Sequence, residues 1–204
     1  MIVDRVGVSI GPDARPVAET PPDDADPADV ARALCADLGP LLGTNVGLRA
    51  LSMRREGAVT VAEVNVGETG PAGEWTVDAA AAEVSPPIAA QRAVIAALLG
   101  DTDVLTGAMQ RFVRSGLLAG GILAVGDGQP VQVGDLENPP RLVELIDLVP
   151  TATMVGVRTG RGDYGAIRTH RHACVWLWRE ERGELLRSWF RALVAADSLG
   201  TVVA

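Results

Sequence analysis

The chain has 204 residues, 48% of them hydrophobic, and its 18 basic and 26 acidic side chains give a net charge of −8. This composition predicts a globular chain with one well-buried core, and it argues against a disordered chain and against nucleic-acid binding over the whole surface. No apolar run reaches the roughly 20 residues of a membrane helix, and the N-terminus lacks the basic start and apolar block of a signal peptide. We therefore expect a single α+β domain over residues 1–204, cytoplasmic or within a phage or secretion-type particle, without membrane contact.

Every basic side chain is arginine, and lysine is absent. Schiff-base lysine chemistry and the usual P-loop mechanism are therefore excluded. Abundant alanine, valine and glycine accompany this bias, and the combination is typical of a GC-rich bacterium or its phage. Two cysteines, Cys35 and Cys174, make no disulfide framework, so we expect both thiols to be reduced.

The first predicted elements are a short strand over residues 2–10 and an acidic, proline-rich loop at residues 12–27. Prolines remove backbone donors and the acids resist burial, so this loop should be solvated or ordered against a partner. Asp26 followed by Pro27 is typical of an N-cap and a first helical residue, and the helix should end at Gly39.

Residues 46–53 and 58–66 are predicted to form an antiparallel hairpin joined at residues 54–57, with a third strand at residues 74–77. Two helices should follow as a helical hairpin over residues 86 to 119, because Ser85 and Asp101 are good N-caps. The remaining predicted elements are a hairpin over residues 122–133, strands at 142–149 and 154–159, and a C-terminal helix whose apolar face spans 185–194. Together they predict an α+β fold: a mainly antiparallel sheet of about six to eight strands, covered by the helical hairpin and the C-terminal helix.

The segment 166–179 holds both histidines, one cysteine and two tryptophans. If it is a strand, His170, His172 and Cys174 share one face with the tryptophans, because side chains alternate with period two. Zinc could take two of these three ligands and borrow a carboxylate elsewhere, as in a catalytic site with an open position. The structural alternative places the tryptophans in the core beneath the C-terminal helix.

Arginines surround the same segment and offer a second functional hypothesis. Arg158, Arg161, Arg168 and Arg171 would form an anion-binding hairpin beside aromatic side chains, and such a surface suits phosphate or single-stranded nucleic acid. The alternative is that these arginines cover the outer face or pair with nearby glutamates.

No catalytic constellation emerges from the sequence, so the catalytic residues are unknown. We expect a non-enzymatic protein-binding or assembly subunit of a larger complex, with a protein partner or a second copy of the chain and no cofactor. The alternative function is a small metal-dependent enzyme, with zinc as cofactor, or a phosphate- or nucleic-acid-binding protein that uses the His170, His172 and Cys174 strand and the adjacent arginines.

Overall fold

The computed structural model describes residues 3–6, 19–71, 73–136, 139–151, 153–159, 162–178 and 183–200. Of the predicted acidic loop at 12–27, residues 12–18 lie outside this description. The helices are α1 (Pro27–Leu38), α2 (Pro86–Leu99), α3 (Thr102–Arg114), α4 (Pro139–Leu148) and α5 (Gly183–Gly200). The strands are β1 (Val3–Val6), β2 (Val46–Glu56), β3 (Val59–Glu68), β4 (Thr76–Glu83), β5 (Leu118–Val125), β6 (Val131–Gly134), β7 (Thr153–Thr159), β8 (Gly162–Arg168) and β9 (His172–Trp178).

Every strand pair among the described residues is antiparallel, which confirms the α+β class. The strands are divided between a three-stranded sheet in the order β2-β3-β4 and a six-stranded sheet in the order β1-β7-β8-β9-β5-β6. In the described part of the chain, no helix is both long enough and apolar enough to cross a membrane.

Among the described residues, the chain divides into two compact units: an N-terminal unit of residues 19–104 together with residues 198–200, and a C-terminal unit of β1 and Leu105–Asp197. Whether the two units form one domain over residues 1–204 depends on how they associate. The single domain therefore stays a prediction. Helix α2 forms where it is expected, whereas α3 ends at Arg114, before the predicted end of the hairpin at residue 119. The boundary between the two units falls within α3, after Val104, so the packing of α2 and α3 as a helical hairpin stays a prediction.

In the N-terminal unit, helices α1 and α2 cover one face of the three-stranded sheet. The side chains of Ala62, Val64 and Val66 alternate onto that face and are buried, since strand residues two apart point the same way. The N-cap of α1 is the predicted one: Oδ1 of Asp26 accepts a hydrogen bond from the Ala28 amide at 2.8 Å. Such a cap satisfies one of the amides that a helix start leaves without a partner.

In the C-terminal unit, the central strands are apolar on both faces. Ile122, Ala166 and Val175 pack with Ile146 of α4 on one side of the sheet. Cys174 and Trp176 alternate to the opposite side, where Trp176 meets Trp189 of α5 edge to face at 5.8 Å between ring centroids. The six-stranded sheet is thus covered by helices on both faces.

Helix α4 corrects the prediction of a strand over residues 142–149. Pro139 and Pro140 occupy the first turn, where missing amides cost nothing because the first amides of a helix have no intrahelical partner. Ile146 in the last turn of α4 and Val149, the residue after its end, are three positions apart and both buried, a spacing that fits the helical period. The apolar residues within 142–149 therefore fit the helical period as well as the strand that was predicted there.

The segment 166–179 is also not one strand. Strand β8 ends at Arg168 and β9 begins at His172, and the chain turns at Thr169–Arg171. The turn is closed by the Thr169 amide, which donates to the His172 carbonyl at 2.7 Å, and by the His172 amide, which donates to Thr169 Oγ1 at 3.0 Å. The two histidines consequently stand in different surroundings.

Candidate functional site

The histidine and cysteine side chains of the predicted metal site are separated by the turn between β8 and β9. His170 lies in that turn and is exposed, whereas His172 and Cys174 are the first and third residues of β9 and are buried. Burial raises the pKa of the Cys174 thiol, which disfavours the thiolate that binds zinc. Among the described residues, no group of three or more His, Cys, Asp and Glu side chains is arranged to hold a metal ion.

His172 is instead bound to an acid that sequence reasoning missed. Its Nδ1 lies 3.0 Å from Oδ1 of Asp197, which stands on α5, 25 positions further along the chain. The other carboxylate oxygen accepts a hydrogen bond from the Arg171 amide at 3.0 Å. The side chains of His172 and Asp197 are 0% and 6% exposed. The carboxylate of Asp197 therefore links α5 through two hydrogen bonds to the turn between β8 and β9 and to the first residue of β9.

The surroundings of Asp197 also set its charge. Burial alone would raise the pKa of this carboxyl, but hydrogen bonds from His172, Thr169 and the Arg171 amide, with the electrostatic attraction of His172, lower it on balance. The anion is thus the favoured form in the folded protein. Because the imidazole is buried beneath this carboxylate, the arrangement suits a structural link better than a proton-transferring group that must reach a substrate.

The four arginines of the predicted anion site do not share one described surface. Arg161 lies outside the described residues, and for Arg158 only the backbone is described, as part of β7. Arg168 donates from Nη1 to the Ile146 carbonyl at 3.1 Å, at the end of α4. Arg171 is exposed in the turn, where its amide binds Asp197.

The engagement of Arg168 has a simple physical reason. The last carbonyls of a helix lack intrahelical partners and carry partial negative charge, so a guanidinium there is stabilised. Nη1 of Arg168 also lies 3.7 Å from the Asp147 carboxylate. Arg168 therefore acts as a cap for α4, a role that the sequence did not predict, because this segment was expected to be a strand.

A different surface, the edge of the three-stranded sheet, exposes main-chain binding groups. Strand β2 pairs with β3 on one side and is an edge of the sheet on the other. Seven of the eight positions from Arg49 to Glu56 are exposed. The opposite edge strand, β4, is exposed at three of its eight positions, so β2 is the more accessible edge.

The register of the hairpin tells which amides of β2 point outward. Glu56 pairs with Val59 across the two-residue turn of Gly57 and Ala58. Gly57 has φ +62°, as the first central residue of a type II′ turn requires, and such a turn bonds its first residue to its fourth. Antiparallel pairs alternate between hydrogen-bonded and non-hydrogen-bonded.

It follows that Arg54 and Ser52, like Glu56, direct their amides and carbonyls toward β3. The main-chain groups of Leu51, Met53 and Arg55 point away from β3, and in the described residues β2 has no strand on that side. We call these three residues the outward row. An edge with such a row is a ready template for one more strand.

The side chains of the exposed half of β2 are partly held by their own sheet. Arg54 forms ion pairs with Glu56 and with Glu63 of β3. Arg49 donates from Nη2 to the Glu68 carbonyl at 2.6 Å and lies at a β-bulge, where the pairing register shifts between Leu48 and Ala50. A bulge interrupts the ladder, so the usable outward row begins beyond it, at Leu51.

Sequence reasoning ended this strand at residue 53 and assigned residues 54–57 to the connecting turn. The strand continues to Glu56, because Arg54 and Arg55 pair with Val61 and Thr60 of β3. In the structure, consecutive exposed positions without alternating burial mark β2 as an edge strand. In the sequence, only the charged residues at positions 54–56 indicated such an edge.

Comparison of the chain with protein-family models, with curated proteins and with solved structures finds no match.

Proposed function

We propose that the protein is a non-enzymatic binding or assembly subunit that accepts an extended strand of a partner along the β2 edge. The observation that carries the proposal is the outward row, Leu51, Met53 and Arg55, on an edge strand that is exposed from Arg49 to Glu56 at all but one position. Main-chain hydrogen bonds to such an edge give affinity, and alternate side chains give specificity.

Two further features support a binding role over a catalytic one. The buried imidazole of His172 is engaged by Asp197, and the Cys174 thiol is fully buried with a raised pKa. Neither group has the exposure and activation that a nucleophile or a general base needs. The strand edge, by contrast, presents its binding groups directly to solvent.

Amide hydrogen exchange, resolved by residue, tests the proposal. In dilute protein, the amides of Leu51, Met53 and Arg55 should exchange fast, while those of Ser52 and Arg54 are protected by β3. In complexes isolated from the native host, the three outward amides should become protected as well. If they exchange as fast in every isolated complex as in the dilute chain, the β2 edge is not the binding surface.

A pair of proline variants sharpens this test. Met53→Pro removes one outward amide and leaves the hydrogen bonds to β3 intact, as proline is tolerated on an edge whose amide faces solvent. Ser52→Pro removes an amide that binds β3 and should destabilise the hairpin itself. We expect Met53→Pro to stay folded and lose its partner, with Met53→Ala as the control that keeps the amide. A Met53→Pro chain that retains its partner at the wild-type level would contradict the proposal.

A further inference from the structure

We infer that the occupant of the β2 edge is the β2 edge of a second copy, paired antiparallel about a two-fold axis at Met53. This inference rests on the proposed function and adds the identity and the register of the partner strand. Pairing of this kind would join two three-stranded sheets into one continuous sheet. The charges and the bulge of β2 determine which registers of this pairing are allowed.

Symmetry limits the registers to a few. Two identical antiparallel edge strands are related by a two-fold axis perpendicular to the joined sheet. Two residues that lie directly opposite each other therefore carry their side chains on the same face of that sheet. The axis therefore passes through a residue, and the candidates are Leu51, Ser52, Met53, Arg54 and Arg55.

Like charges exclude three of these positions. An axis at Arg54 or at Arg55 sets that arginine directly opposite its own copy, and an axis at Ser52 sets Arg49 opposite Arg55 of the second chain. Like charges directly opposite on a sheet are destabilising. The arginines of β2 thus discourage the wrong registers and leave the axis at Leu51 or at Met53.

The bulge separates the last two candidates. An axis at Leu51 places Met53 opposite Arg49, where the ladder of β2 is already broken. An axis at Met53 places Leu51 opposite Arg55 and Met53 opposite its copy, so that the whole outward row is paired and about six main-chain hydrogen bonds form.

The side chains fit the same register. Met53 is one of three large hydrophobic residues described as exposed, at 37%, and the axis at Met53 brings two copies of it together. Ser52 then faces Arg54, and Ala50 faces Glu56, so no direct pair joins two charges of the same sign. Thioethers are flexible and polarisable, which suits a contact at a symmetry axis.

Engineered cysteines test both the pairing and its register. The native thiols are buried, with Cys35 at 1% and Cys174 at 0% exposure, and burial raises the pKa of Cys35 to about 11, so mild oxidation should act on an introduced cysteine. With the axis at Met53, a Met53→Cys chain should form a disulfide-linked dimer, because directly opposite Cα atoms stand about 5.5 Å apart.

The neighbouring positions supply the matched controls. Ser52→Cys alone and Arg54→Cys alone should not cross-link, because each faces its own copy only diagonally, at about 7–8 Å. A mixture of Ser52→Cys and Arg54→Cys chains should cross-link as a mixed dimer. Ala58→Cys at the hairpin tip measures the rate of chance collisions.

Sedimentation of the unoxidised wild-type chain is the second readout, and Met53→Pro is expected to weaken its dimer at least tenfold. Cross-linking by Ser52→Cys alone, with none by Met53→Cys, would overturn the register. A wild-type chain that stays monomeric at high concentration, with Met53→Cys no faster than Ala58→Cys, would overturn self-pairing. In that event the proposed function still stands if a different partner protects the outward amides, and it fails if none does.

Discussion

The carboxylate of Asp197 on α5 lies 3.0 Å from Nδ1 of His172, the first residue of β9. Both side chains are buried, at 6% and 0% exposure, and the second carboxylate oxygen holds the Arg171 amide. A single acid therefore joins the C-terminal helix to a turn of the six-stranded sheet. Removing it would take this carboxylate away from a buried imidazole and from a backbone amide, which is costly in a region shielded from water.

Acid should weaken the C-terminal unit through this pair. The folded state lowers the pKa of Asp197, so on acidification the unfolded chain, with an ordinary value of about 3.9, binds the proton first. The stabilisation is fully present above the unfolded pKa and is lost as the pH falls through the folded one. Urea unfolding at several pH values should show Asp197→Asn destabilised by about 1–3 kcal/mol near neutrality. That deficit should shrink as the pH falls below the unfolded pKa and through the lower folded one; a constant deficit would contradict this account.

Arg168 should stabilise the end of α4. Arg168→Met keeps the apolar stem and removes the donor to the Ile146 carbonyl, so we expect a loss of about 0.5–1.5 kcal/mol and faster amide exchange in the last turn of α4. Arg141→Met is the control, because Arg141 lies in the first turn of the same helix and is exposed. A positive charge there opposes the helix dipole, so its removal should be neutral or slightly stabilising. Equal losses in the two variants would argue against the cap.

Replacing either of two glycines that have positive φ by alanine should reduce stability, but by different amounts. Gly126 has φ +56° with open space around a Cβ, so Gly126→Ala should cost about 1–2 kcal/mol for the left-handed backbone alone. Gly134 has φ +75°, and a Cβ there would stand 2.5 Å from the Ala119 carbonyl oxygen. Gly134→Ala should therefore cost at least about 1 kcal/mol more than Gly126→Ala in denaturant titrations. Similar losses of stability in the two variants would show that β5 and β6 can move apart at Gly134 without an energetic penalty.

Glu83 and Arg92 form an ion pair between β4 and α2, with each side chain 17% exposed. Glu83→Ala would leave a mostly buried guanidinium without this counter-charge, at a cost of about 3 kcal/mol. The double variant Glu83→Leu with Arg92→Met removes both charges and should recover most of that stability. A double-mutant cycle built from Glu83→Leu, Arg92→Met and the double variant measures the coupling between the two side chains, and a double variant no more stable than Glu83→Leu would contradict the expectation.

Local signals predicted the starts of α1 and α3. Asp26 caps α1, and Asp101 Oδ1 accepts hydrogen bonds from the amides of Asp103 and Val104 at the start of α3, because a cap depends on residues within one turn. The apolar run at residues 142–149 was misread as a strand because short apolar runs fit both periods. Pro139 and Pro140 were the deciding signal, as they open a helix well and a central strand poorly.

The site was less accessible to sequence reasoning because its contacts are not local. The partner of His172 is Asp197, and its place depends on how α5 crosses the sheet. Whether β2 is a central or an edge strand likewise depends on the strand order, which alternation along one segment does not determine. The burial of Trp176 beneath α5 was predicted, because the alternation on β9 and the broad apolar face of α5 each required a partner.

The edge-to-face contact between Trp176 and Trp189, with Phe112 a further 6.2 Å from the Trp189 ring, gives the C-terminal unit an optical signature of its own. Aromatic rings fixed so closely in a chiral setting should produce a strong near-ultraviolet circular dichroism band. That band reports tertiary packing, whereas the far-ultraviolet signal reports helices and strands. A variant that keeps its far-ultraviolet spectrum and loses this band would have loosened the contact between α5 and the sheet while retaining its secondary structure.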